Sequence, residues 1–255
     1  TAGNRKTWTW SGWVKRGNLG TDQRIFGQYT TGGSATATSI YFGTNNKFQI
    51  ADWADTQLYV DRVFRDTSAW LHIIVAWDTT QSTETNRVKV YINGEQQTLI
   101  ENVTGYPSLN LEKGINTTLA HNIGSLNPYY AGQYLDGYLA EVNFVDGQAL
   151  TPADFGETDA TYGHWKPIEY TGSYGTNGFY LDFKDSGSLG NDANGSNNWT
   201  PTNLAATDQM LDSPTNNFAT FNAVVPQNVY GGTNALGGSL LEGNLRANTA
   251  AGQWN

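Results

Sequence analysis

The stretch Thr7-Trp8-Thr9-Trp10-Ser11-Gly12-Trp13-Val14-Lys15 constrains the fold more than any other part of the chain. Large apolar residues recur every second position, the repeat of a β-strand with one face buried and not the 3.6-residue repeat of a helix. Trp8, Trp10, Gly12 and Val14 share one face; Thr9, Ser11 and Lys15 share the other, and Trp13 points away from Trp8 and Trp10. Further short runs follow at Arg24–Tyr29, Ser39–Phe42, Lys47–Trp53, Gln57–Val63, Trp70–Trp77, Arg87–Ile92, Thr117–Ile123 and Tyr134–Val145. Glycine and asparagine punctuate them, as turn residues do between strands. Asn93-Gly94 suits a two-residue hairpin turn with positive φ at both positions. The only helix signal is Thr151-Pro152-Ala153-Asp154, where a capping residue precedes proline and an acid; it predicts one or two turns.

Nine or ten short strands with one helical turn describe an all-β, antiparallel two-sheet sandwich or jelly roll. Composition agrees: 15% of residues are charged, 13% are aromatic and 29 are glycine, the balance of a turn-rich β protein. The sandwich is expected over residues 1–157. Residues 158–184, still aromatic, pack on it or complete it. Residues 185–255 form an irregular Asn/Gly-rich extension, or a link to a further domain. In that extension Leu189, Trp199, Leu204, Met210, Leu211, Phe218, Phe221, Val224, Val225, Val229, Tyr230, Leu240 and Leu241 stand as single anchors for grooves on the sandwich, on a neighbouring chain or on another protein of the same assembly. A net charge of −9 excludes nucleic acid as a partner, since phosphate binding needs clustered Lys and Arg. With no cysteine, disulfides and thiolate metal sites are excluded, and a reducing compartment of assembly is favoured. No apolar run reaches the length of a membrane span, so no membrane insertion is expected.

Five segments occur in order: Thr7–Lys15, Trp70–Asp78 (WLHIIVAWD), Val88–Glu95 (VKVYINGE), Ile123-Gly124 and Leu135–Val145 (LDGYLAEVNFV). Together they resemble the laminin-G or pentraxin-like branch of the concanavalin A-like lectin/glucanase fold. The continuation from Val145 to Pro167 (VDGQALTPADFGETD…GHWKP) and from Tyr170 to Pro201 (YTGSYGTNGFYLDFKDSGSLGND…NNWTP) resembles a recurrent segment of tail-fibre and other virion structural proteins of bacteriophages. The resemblance implies a virion protein assembled in the host cytoplasm and placed on the particle surface or tail. Its implied partners are other virion proteins, further copies of itself (a trimer suits a fibre) and host surface glycans. Relatives with this layout usually carry one more strand before the first, whereas six residues precede it here. Gly243–Asn255 resembles the opening of another domain, and the chain begins with Thr. All of this reads as a piece of a longer polypeptide.

Some glucanases of this fold use a Glu-x-Asp-x-x-Glu strand. The comparable positions here are Glu141, Asn143 and Asp146, and an amide in the middle cannot replace the carboxylate. A non-enzymatic protein is therefore expected, because retaining hydrolysis needs two carboxyl groups about 5 Å apart across the scissile bond. His72, between apolar neighbours in a strand, reads as a packed, hydrogen-bonded histidine. Calcium relatives hold the ion through hard oxygen ligands; here Asp182, Asp185, Asp192 and Asn194 would supply them. Asx turns account for the same residues without an ion, so weak calcium binding or none is expected, and no other cofactor. For glycan binding the candidate stacking residues are Trp13, Tyr41, Trp53 and Tyr59. A free or cell-surface lectin module is the alternative to the virion reading, and a polysaccharide-degrading enzyme is the third.

Overall fold

The alternation in the first tryptophan-rich segment becomes β1 (Thr7–Arg16), a ten-residue strand at the centre of one sheet. The computed structural model describes residues 1–29, 37–52, 55–126, 132–216, 239–241 and 246–248. On either side of β1 lie β11 (Gly137–Asp146) and β6 (Leu71–Asp78). The sheet continues through β7 (Val88–Ile92) to the two-residue β8 (Glu95–Gln96), and on its other side ends at β14 (Phe179–Leu181). Across the core lies a second six-stranded sheet. Its order is β10 (His121–Ile123), β2 (Gln23–Gln28), β3 (Thr38–Phe42), β4 (Phe48–Asp52), β5 (Thr56–Val60) and β9 (Leu99–Gly105). Every pairing in both sheets is antiparallel.

The inward residues of each strand form one core. Trp8, Trp10 and Val14 meet Ile73, Val75 and Trp77 from β6 and Val142 and Phe144 from β11. The second sheet supplies Phe26, Ile40, Phe42, Phe48, Ile50, Leu58 and Val60. Trp8 and Trp77, directly opposite on paired strands, stack with centroids 5.4 Å apart and planes 9° from parallel. Each such side chain, fully buried, contributes roughly 1.5–3 kcal/mol. Gly12 belongs to the same row, and a Cβ there would lie 2.7 Å from the Trp10 indole, so glycine makes room for the larger ring.

Local signals fare well. Asn93 and Gly94 adopt φ of 49° and 85°, the conformation the β7–β8 hairpin demands. The Thr151 signal gives a single 3-10 turn, Pro152–Asp154, in which the Thr151 backbone N–H and hydroxyl both donate to the Asp154 carboxylate at 2.9 Å. The longest strand without a counterpart among the expected elements is β9. Its central residues are exposed, so no apolar alternation marks it.

Residues 1–216 form one compact unit and 217–255 a second. In the second, β15 (Ser239–Leu241) pairs antiparallel with β16 (Arg246–Asn248). In the first, β12 (Gly156–Thr158) and β13 (Trp165–Pro167) make a small separate ribbon, and β14 adds a sixth strand to the first sheet. The stretch after β14 has no strand up to residue 216. There Leu189 is buried and Trp199 packs on the core, as expected of anchors. Leu204, Met210 and Leu211 do not insert in this unit: all three are exposed, Leu211 completely. The anchors expected from Phe218 to Tyr230 lie outside the described residues.

Candidate functional site

Trp13 sits on the outer face of the first sheet, as its place in the alternation requires, but it is fully buried and offers no surface to a sugar. Its cross-strand partner is His72, and the two rings stack at 4.8 Å, 8° from parallel. The cover comes from β13, over ninety positions further along the chain. The Trp165 indole N–H donates to His72 Nδ1 at 2.8 Å, while Nε2 lies 2.9 Å from Ser11 Oγ. An indole nitrogen can only donate, so Nδ1 carries no proton, and Nε2–H donates to the serine. Burial holds the imidazole at about 3, far below its ordinary 6.5. His72 is thus a neutral spacer in a stack of rings, with no proton to exchange near neutral pH.

Tyr41 and Tyr59 are brought together. Arg24, Tyr41, Gln49 and Tyr59 form one cross-strand row on the outer face of the second sheet. The Arg24 guanidinium lies 3.8 Å from the Tyr41 ring centroid, and the Tyr41 hydroxyl donates to Gln49 Oε1 at 3.0 Å. Lys47 Nζ lies 4.5 Å over Tyr59 and bridges to Asp61 at 3.1 Å. Tyr41 is buried and its hydroxyl pushed up by that burial, which leaves half-buried Tyr59 as the more accessible ring. Trp53 lies outside the described residues.

The acidic positions serve the backbone. Asp192, buried, accepts N–H bonds from Tyr180 (2.9 Å), Asn194 (3.2 Å) and Asn197 (3.0 Å). Asp182 accepts from the Lys184 N–H and Asp185 from the Gly187 N–H, two separate Asx turns. These aspartates do not converge: among the described residues no three His, Asp or Glu side chains are placed to share a metal ion. Glu141 and Asp146 also belong to different networks. Between Ser11 and Trp13 the β1–β11 register slips by one residue, and Glu141, at φ 50°, is the extra one. Its carboxylate accepts the Tyr180 hydroxyl, and burial raises it above the usual carboxylate range. Asn143 Oδ1 accepts the Tyr174 hydroxyl at 2.6 Å. Asp146 Oδ1 instead accepts the Asn4 N–H (2.8 Å) and the Asn116 amide (2.6 Å), and its Oδ2 accepts the Asn177 N–H (3.2 Å).

Beside that Asp146 cluster opens a cleft of about 400 Å³ that sequence reasoning missed. It lies where β10, at the edge of one sheet, faces β14, at the edge of the other. Phe26, Phe144, Phe179 and Trp199 wall it, and Asn116, Asn177, Asn197 and Asn198 rim it. Trp199 stands edge-on to Phe179 at 5.0 Å and to Phe26 at 6.3 Å. The three N–H bonds gathered by Asp192 fold the preceding loop, and the Trp199 backbone N–H donates to Gly190 O at 2.7 Å, which anchors the main chain from which the indole projects. His121, on the same wall, accepts the Asn116 N–H at Nε2 (3.0 Å), so its proton sits on Nδ1 and goes to Leu119 O (2.8 Å). Burial lowers its pKa, which keeps it neutral. Asn197 spends its amide hydrogens on Thr176 O and Gly178 O, and Asn198 Oδ1 accepts the Asp192 N–H. That leaves the Asn197 carbonyl oxygen and the Asn198 amide hydrogens for a ligand. The one local signal was Asn197-Asn198-Trp199, amides beside an aromatic ring in a turn-rich stretch.

Two six-stranded antiparallel sheets closed over an aromatic core, with an aromatic and amide cleft at one end, define a lectin-like sandwich. Residues 2–155 match the laminin-G-type model described as the concanavalin A-like lectin/glucanases superfamily, and the chain belongs to that family. No curated protein matches it. Among solved structures it is similar to a native heptameric SAP-like pentraxin from Limulus polyphemus (19% identity, 59% of this chain and 68% of that one, TM-score 0.40). It is also similar to the CBM40 of the Ruminococcus gnavus IT-sialidase bound to alpha2,3 sialyllactose (13% identity, 58% and 78%, TM-score 0.40). A third is the Trypanosoma rangeli sialidase in complex with 2,3-difluorosialic acid (13% identity, 58% and 21%, TM-score 0.42). The match thus spans 21% of the length of that sialidase chain.

Proposed function

We propose that this chain is a non-catalytic glycan-binding module that takes its sugar in the cleft walled by Trp199. The observation that carries the reading is the lining of that cleft: the half-buried Trp199 ring, backed by buried phenylalanines, for the apolar face of a pyranose and amides for its hydroxyls, in a volume of about 400 Å³. Absence of catalysis is part of the proposal. It is supported by the separate networks that hold Glu141 and Asp146 and by the amide at Asn143. The direct test is a glycan array probed with the purified chain, followed by titration of the best sugar. Trp199→Ala should abolish binding while the circular dichroism spectrum of the sandwich is retained. An array without a hit, or a Trp199→Ala chain that binds as well as the parent, rejects the proposal.

We further place the module in a bacteriophage virion, on the particle surface or tail, among other virion proteins and copies of itself. Support comes from the resemblance of Val145–Pro201 to tail-fibre and virion segments, and from the exposed Leu204, Met210 and Leu211, apolar side chains suited to contact with another chain. Mass spectrometry of purified particles tests this placement; particles lacking the chain would refute it.

A further inference from the structure

A second pocket, of about 500 Å³, opens on the other side of residues 117–119, which line both it and the Trp199 cleft. Its lining includes Arg5, Glu112, Lys113, Leu119 and Gln28, the last residue of β2. Gln28 is fully buried, yet neither its Oε1 nor its Nε2 has a hydrogen-bond partner. Its cross-strand neighbour Thr38, by contrast, takes the Gly114 N–H at 3.2 Å and lies 3.4 Å from Asp52 Oδ2. A carboxamide buried without partners destabilises a fold, so a retained one points to a ligand that completes it.

The chemistry of that ligand follows from what the pocket has already spent. Arg5 donates from Nε to Lys113 O (3.0 Å) and from its terminal nitrogen to Glu112 O (3.0 Å), and it pairs with the Glu112 carboxylate at 3.5 Å. Lys113 bridges Asp55 and, at 3.7 Å, Asp52. Both cations are neutralised by neighbours, and the chain carries a net charge of −9, so an anion gains nothing here. The carboxamide asks for a donor and an acceptor side by side on an uncharged molecule. Adjacent hydroxyls of a neutral pyranose meet that demand, one donating to Oε1 and the other accepting from Nε2–H.

Resting on the glycan-binding reading, we infer that the Gln28 pocket is a second sugar subsite and that the ligand is a neutral oligosaccharide crossing residues 117–119. One ring lies against Trp199 and another reaches Gln28 once Leu119, an exposed side chain in the lining of both pockets, turns aside. The sites share a wall, so affinity must rise with chain length.

Calorimetric titration with cello-, laminari-, malto- and chito-oligosaccharides, each from monomer to hexamer, reads this directly. For the series that binds, affinity should climb by about tenfold or more between monomer and trimer. Gln28→Met, close in shape and apolar, should erase that increment, leave the monomer affinity unchanged and raise the melting temperature. Thr118→Trp, an exposed substitution on the shared wall, should erase the same increment without touching the core. If affinity is independent of length, or if Gln28→Met gains stability and still binds the longer sugars as the parent does, water alone serves the carboxamide and the second subsite is refuted. If no sugar of any length binds the parent chain, the glycan reading falls and this inference with it.

Discussion

His72 makes the acid stability of the sandwich calculable. The imidazole is fully enclosed between Trp13 and Trp165, its Nδ1 receives the indole N–H, and burial holds its pKa at about 3 against 6.5 in an unfolded chain. A proton taken up in the folded state would have to sit on Nδ1, pointing at the N–H that now donates to it. The unfolded chain takes that proton freely below pH 6.5. Stability from neutral His72 is therefore complete above pH 6.5 and drains away as pH falls toward 3, by about 1.4 kcal/mol per pH unit. Between pH 6.5 and about pH 4 the loss is about 3 kcal/mol, a large part of the 5–15 kcal/mol typical of a domain. Urea unfolding of the parent and of His72→Phe, from neutral pH down to about pH 4, isolates the effect. Phenylalanine keeps the stack on Trp13 but cannot titrate, and other ionisable groups, His121 included, cancel in the difference. At neutral pH the variant should be the less stable of the two, because Ser11 and Trp165 lose their partner. That deficit should shrink by about 3 kcal/mol across the range. A difference that does not change with pH, or an NMR titration of the His72 ring near pH 6, would refute the reasoning.

Asp146→Ala should destabilise the unit by about 3 kcal/mol or more, because one buried carboxylate gathers Asn4, Asn116 and Asn177. A chemical denaturation midpoint unchanged from the parent would show that those contacts add nothing. Asp192→Ala should cost about 2 kcal/mol through the loss of its three backbone donors, and calcium should neither stabilise the parent nor matter to the variant. A calcium-dependent rise in the parent's melting temperature that disappears in Asp192→Ala would reinstate the metal reading.

What could be read from the sequence was decided within a strand or a turn. Trp8, Trp10 and Val14 went to the core because alternation is enforced by the backbone, and Asn93-Gly94 made its hairpin because the turn needs positive φ. Trp13 was placed on the correct face and given the wrong exposure. Nothing near it in sequence announces Trp165, which covers the His72 ring stacked on it. The cleft was hidden for the same reason, since its wall collects Phe26, Phe144, Phe179 and Trp199 from four separate segments. Gln28 was equally silent: a glutamine ending a strand reads as solvated, and only the assembled sandwich encloses it.

The borders of the two large sheets bear on how copies of this chain can meet. In the first sheet the outermost strands, β8 and β14, are two and three residues long; in the second, β10 has three. Only β9 has length, and it breaks step with β5, where Gln57 faces Gly105 but Leu58 already faces Glu101. Among the described residues three of the four borders are thus too short to offer more than a rung or two of free amides and carbonyls on which another chain could zip itself. Continued strand pairing from one copy to the next is disfavoured at those three borders, and β9 is the one of the four long enough to support it.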